Sequence, residues 1–134
     1  MMRQTNSATA YQEAKIMSSS REQLVVVLYE HLLANLRRAA LQIHRQDIEG
    51  RSRSLERASD IVFELLSALD LDAGGELASR LAALYGYFIG EISAVGRALD
   101  LERLERLTAI VSTLHRSWSQ AAAAMAQGTS EVPA

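Results

Sequence analysis

The sequence predicts an all-α protein: an antiparallel up-down-up-down four-helix bundle with a short N-terminal segment packed on it. Three features predict it. Proline occurs once, at Pro133, so nothing interrupts a helix before the C-terminus. Apolar residues recur in steps of three and four almost throughout, with no sustained alternation of the kind a strand needs. Turn signals are few, so successive helices should be joined by short connections and lie as antiparallel neighbours.

The first long helix starts near Ser20, where Ser19 with Glu22, or Ser20 with Gln23, can form a capping box, and runs to about Gln46. Val25, Leu28, Tyr29, Leu32, Leu36, Ala39 and Ile43 make its core face. Leu24, Val26, Val27 and Leu33 fall outside that face. A helix that is apolar all round must be covered all round, so something besides the bundle should lie over this stretch. The second helix takes Asp47 as N-cap and ends near Asp70, with Ile48, Leu55, Val62 and Leu69 spaced by seven along its seam. Asp70 to Gly75 reads as a loop broken by Gly74-Gly75. The third helix should span Gly75 to Leu99, with Leu77, Leu81, Leu84, Phe88, Val95 and Leu99 inward. The fourth is capped by Asp100 and carries the most regular heptad: Leu104, Leu107, Val111, Leu114, Trp118, Ala121 and Met125. The expected organisation is an N-terminal arm over residues 1–19, the bundle over 20–126 and a disordered tail over 127–134.

Composition bounds the function. A chain of 134 residues with 49% hydrophobic and 22% charged residues is one ordinary globular domain. Its net charge of -2 and single lysine, Lys15, argue against a nucleic-acid grip. Cysteine is absent, which rules out a disulfide framework and suits a reducing compartment. The first fifteen residues contain no apolar core of a secretory signal, and the uncharged run Leu81 to Gly90 is too short to span a bilayer. The expected location is the cytosol, with no direct membrane insertion.

The search for chemistry is largely negative. Gly74-Gly75 lacks the strand and Lys of a phosphate loop, and no Glu-x-x-His pair suggests a di-iron site. His31, His44 and His115 do not have zinc-ligand spacing. A phosphotransfer histidine would be His44 beside Arg45, or His115 beside Arg116, but neither carries the expected follow-on residues. No catalytic residue, metal or cofactor is expected. Ala82, Gly86, Gly90 and Ala94 recur every fourth residue on the third helix, flanked by Tyr85, Tyr87 and Ile89. Each internal Gly costs roughly 1 kcal/mol relative to Ala. The stripe either packs closely inside the bundle or forms a groove for a partner helix; exposed, it would also suit a self-associating bundle or homodimer.

Four stretches resemble one family. Ala10-Tyr11-Gln12 is followed by Ile16, serines and Ser20-Arg21-Glu22-Gln23-Leu24, leading into Leu28-Tyr29. Leu84-Tyr85-Gly86-Tyr87 and Leu114-His115-Arg116-Ser117-Trp118 follow in order. This succession is similar to the Ala-Tyr, Ser-Pro-x-x-Leu, Leu-Tyr, Leu-Tyr-x-Tyr and Leu-x-x-x-Trp pattern of FliS proteins, the flagellin export chaperones. Arg21 stands where that family usually has Pro, and Glu30-His31 where it has Asp-Gly. The resemblance implies a non-enzymatic cytosolic protein that binds the C-terminal segment of flagellin, prevents premature polymerisation and helps deliver flagellin to the flagellar export gate. The expected contact residues are Tyr11, Ile16, Leu28, Tyr29, Tyr85 and Tyr87. An arm over Tyr11 to Met17 is expected to cover a groove in the free protein. A bundle adaptor for another secreted protein would share every feature except the flagellin partner.

Overall fold

The computed structural model describes residues 21–130, with side chains through Gln127. Four helices fill this range: α1 (Arg21–His44), α2 (Ile48–Ser67), α3 (Leu71–Ala98) and α4 (Leu101–Ser130). The connections, residues 45–47, 68–70 and 99–100, are short enough that each helix folds back antiparallel to the last. The expected N-terminal arm, residues 1–19, and the end of the expected tail, residues 131–134, lie outside the described residues.

Each connection ends in an aspartate that caps the next helix. Asp47 accepts a hydrogen bond from the Gly50 amide at 2.9 Å, Asp70 from Ala73 at 3.0 Å, and Asp100 from Arg103 at 3.1 Å. Each cap satisfies an orphan amide and places negative charge at the positive end of the helix dipole. Two of the preceding reversals use non-glycine residues in the left-handed region, Gln46 at φ 58° and Leu99 at φ 53°. The Leu99 amide donates to the Val95 carbonyl at 2.7 Å, closing the last turn of α3.

The α3 start differs from the sequence expectation. Asp70 caps a turn beginning at Leu71, and the Gly74 amide donates to the Asp70 carbonyl at 2.7 Å. The cap outweighs the two glycines, and their effect appears one residue later as a kink. Gly75 lies at φ 57°, ψ -134°, a conformation open only to glycine. At the other end, helical backbone in α4 continues to Ser130, past the expected tail start at 127. The alanine-rich run Ala121 to Ala126 favours this extension.

The core lies along α1, which packs on both α2 and α4; α2 packs in turn on α3, and the α3–α4 seam is the thinnest. Leu32, Leu36, Ala58, Val62, Leu65, Phe88, Val95, Leu104, Leu107 and Val111 are buried. Each large aliphatic side chain among them stabilises the fold by about 1.5–3 kcal/mol relative to exposure. Leu33, placed outside the core face by its spacing, is buried because α1 is covered by two neighbours over a wide arc. Several seam residues prove exposed: Ile48 on the first turn of α2, Leu77 beside the Gly75 kink, and Met125 near the end of α4. Ala122 rather than Ala121 continues the inward face of α4.

Three helices meet at an aromatic joint. The Tyr29 ring of α1 lies 6.5 Å from Tyr85 of α3 and 6.5 Å from Trp118 of α4, and Tyr85 lies 6.1 Å from Phe88, all tilted. Such pairs contribute about 0.5–1.5 kcal/mol each beyond burial. The Tyr29 hydroxyl donates to the Tyr85 hydroxyl at 3.1 Å. Burial drives the Tyr29 phenol far above its ordinary value; its hydrogen bond and repulsion from Tyr85 add to the rise, and the Trp118 indole partly opposes it. Burial also raises Tyr85, partly offset by the bond it accepts.

Both phenols therefore keep their protons in the fold above the ordinary value of 10.0. Below that pH, folded and unfolded chains are equally protonated and the joint's contribution is fully present. Above it the unfolded chain ionises first, so stability falls with rising pH by up to about 1.4 kcal/mol per unit for each phenol. Urea denaturation at about pH 9 and about pH 11 should show this loss in the wild type and much less in the Tyr29→Phe/Tyr85→Phe double variant. Equal losses in both proteins would place the alkaline sensitivity elsewhere.

Candidate partner-binding surface

Two surfaces of the bundle lack the polar covering expected of solvated helices. One is an apolar groove at the end where α1 begins and α2 finishes. Val25 of α1, Leu65 of α2, Leu69 of the α2–α3 connection, Leu77, Leu81 and Tyr85 of α3 and Trp118 of α4 line it, around a volume of about 380 Å³. Arg21, Glu22 and Asp70 stand at its rim. Of the apolar residues near the start of α1, Val25 lines the groove, while Leu24, Val26 and Val27 are half-buried outside it, so the described helices cover them only in part. The kink at Gly75 leaves Leu77 63% exposed beside the groove.

The other surface is the outer face of α3. Gly86 and Gly90 are exposed, and a Cβ built at either meets no atom within 4 Å. The small-residue stripe is therefore not a close-packing device inside the bundle; it faces outward, with Ala82 and Ala94 half-buried at its ends. No charged side chain occurs between Arg80 and Glu91. Tyr87 is 48% exposed, its ring 6.2 Å from that of Phe88. A face made of bare backbone, alanine and one phenol lets a second helix approach closely and gives that helix an amphipathic anchor.

The residues expected as contacts from the sequence separate into three groups. Tyr87 is presented on a surface. Leu28 and Tyr29 are buried in the core, on the inward face of α1 that fills the space between α2 and α4. Tyr85 is also buried at 1% exposure, yet its edge forms part of the groove floor. Tyr11 and Ile16 lie outside the described residues. Sequence reasoning missed Leu65, Leu69 and Leu81 as groove residues, since each has the spacing of an ordinary seam residue. Trp118 also reads as heptad core, and only its half-buried state shows that one edge reaches the groove.

Burial holds the phenols of Tyr85, at the groove floor, and of Tyr29, packed against it, neutral. His44 is exposed at the end of α1, and the His115 Nε2 lies 3.3 Å from the Glu30 carboxylate and 3.4 Å from the Ser119 hydroxyl. A carboxylate beside the ring repels a phosphoryl group, which disfavours His115 as a phosphotransfer site. Among the described residues no three His, Asp or Glu side chains group as metal ligands, and no helix is long and apolar enough to cross a membrane.

Comparison with known proteins agrees with this architecture. Residues 3–125 match the family described as "Flagellar protein FliS". The chain is 30% identical over 109 residues to the flagellar secretion chaperone FliS of Salmonella typhimurium, covering 81% of each chain. It is 28% identical over 116 residues to that of Bacillus subtilis, covering 87% of this chain and 86% of the relative. A solved structure described as "Crystal structure of flagellar chaperone from bacteria" superposes with a TM-score of 0.71 at 18% identity, over 88% of this chain and 96% of the other, and shares the fold. With the family match spanning nearly the whole chain and its ordered helices superposing on a flagellar chaperone, the protein belongs to the FliS family.

Proposed function

We propose that this protein is a non-enzymatic flagellar export chaperone that binds the C-terminal segment of flagellin in the cytosol. By holding that segment it prevents premature polymerisation and assists delivery to the flagellar export gate. The observation that carries the reading is the uncharged, glycine-bared outer face of α3 in a chain whose relatives are flagellar secretion chaperones. A client segment that gains order only on binding needs a long apolar surface to offset its ordering entropy. The groove at the start of α1 and the face of α3 together supply one.

Tyr87 is the proposed anchor on α3, and Leu77, Leu81 and Trp118 the apolar lining that a client side chain enters. Leu28, Tyr29 and Tyr85 act by holding α1 and α3 in register beneath these surfaces. The arm over Tyr11 to Met17, with Tyr11 and Ile16 as its apolar contacts, is proposed to cover the groove until the client displaces it.

Calorimetric titration with the C-terminal segment of flagellin from the same organism should give saturable binding near one-to-one, with a negative heat-capacity change. The single tryptophan, Trp118, lines the groove, so its emission should shift as the groove fills. A folded sample that shows neither heat nor emission change would exclude flagellin as the client.

Tyr87→Ala should leave the fold intact and weaken client binding by roughly tenfold, as for an interface aromatic. Gly86→Ala and Gly90→Ala test close approach, because stability and binding should move in opposite directions. Each added methyl enters open space and should stabilise the helix by about 0.5–1 kcal/mol, while holding a partner helix away and lowering affinity. Unchanged affinity in both variants would remove the α3 face from the client path. Deleting residues 1–17 should increase binding of an apolar dye and change client affinity; a truncated protein identical to the full chain in both respects would dismiss the covering arm.

A further inference from the structure

The seam between α1 and α2 carries a second kind of surface, polar and on different residues from the client groove. Arg38 of α1 and Arg53 and Arg57 of α2 converge on one cleft of about 230 Å³, over a floor formed by Asn35, Gln42 and Ser54. The floor is already satisfied. The buried Asn35 amide donates to the His31 carbonyl at 2.8 Å, and the Ser54 hydroxyl and the Gln42 amide are hydrogen-bonded at 2.7 Å.

The guanidinium groups are not. Arg38 bonds only the Asn35 side-chain oxygen, at 3.2 Å, and among the described residues Arg53 and Arg57 have no hydrogen bond or ion pair. No carboxylate lines this cleft. Three guanidiniums gathered in a cleft that no carboxylate lines repel one another there, and their planar donor forks match carboxylates.

The cleft is also longer than a small anion requires. Arg38, Arg57 and Asn35 are shared with a second cleft of about 440 Å³ further along the same seam, where Asp60 and Glu64 supply negative charge. The surface is therefore a track, basic toward the α1–α2 connection and acidic toward the other end. We propose that it docks an acidic segment of a partner protein, whose neighbouring carboxylates pair with Arg38, Arg53 and Arg57. The partner lies along the seam outside the bundle while the client groove and the α3 face remain free. The inference does not depend on which client the protein carries.

The test is fluorescence anisotropy of a labelled hexaglutamate peptide titrated with the full chain at low salt. Saturable binding that weakens as salt is added is expected, together with a loss of about tenfold or more in Arg53→Glu/Arg57→Glu. Both side chains are exposed, so this variant should keep its helical circular dichroism; if it does not, Arg53→Gln/Arg57→Gln gives the same reading without charge reversal. Arg106→Glu, on α4 away from the seam, should bind as the wild type does. Absence of saturable binding overturns the proposal, and so does an equal loss in Arg106→Glu, which would mean non-specific attraction. Displacement of the peptide by an equimolar amount of inorganic phosphate also overturns it, in favour of a small-anion site.

Discussion

The position of α3 depends on the aromatic joint. The α3–α4 seam is thin, so α3 is held mainly through α2 and through the ring cluster in which Tyr29 touches both Tyr85 and Trp118. The two phenols satisfy each other in a place where an unpaired hydroxyl would cost about 1–3 kcal/mol. This pairing fixes the rotation of α3 about its own axis. Once Tyr85 and Phe88 face inward, the helical period turns Gly86, Tyr87 and Gly90 outward. The uncharged outer face is the geometric consequence of a well-filled inner one.

The groove arises from a different constraint. Asp70 caps a helical turn ahead of two glycines, and the chain resolves the conflict with a glycine-only conformation at Gly75. Beside this kink Leu77 is left exposed, and the groove it lines has the half-buried Trp118 and an edge of the buried Tyr85 as its floor. The aromatic joint thus forms the floor of the groove as well as the anchor of α3. Occupation of the groove and packing of the core are physically adjacent, because Tyr85 takes part in both.

Polar and apolar surfaces are kept apart. The α1–α2 seam gathers guanidiniums on its outer side while its inner side is filled by Leu32, Leu36, Ala58 and Val62. A bundle built this way can present an apolar contact on one flank and a charged one on another without either disturbing the core, since each flank is served by a different arc of the same helices.

Helix number, order and antiparallel sense were legible in the sequence, because each rests on local rules. A period of three and four residues, an aspartate before the second and the fourth helix, and connections too short to cross the bundle allow one arrangement. The family pattern was legible for the same reason, as a succession of short motifs at fixed places. What the sequence left open was the direction in which particular residues point. Tyr29, Tyr85 and Tyr87 are the same residue type in similar surroundings, yet two are interior and one is on the surface, a difference set by which helices flank each position. The Ala82–Ala94 stripe fitted close packing inside the bundle as well as a groove for a partner helix; the rotation of α3 about the aromatic joint decided it. Groove and charged cleft are likewise products of assembly: Leu65 with Trp118, and Arg38 with Arg57, are brought together by packing between helices, which no spacing along one helix records.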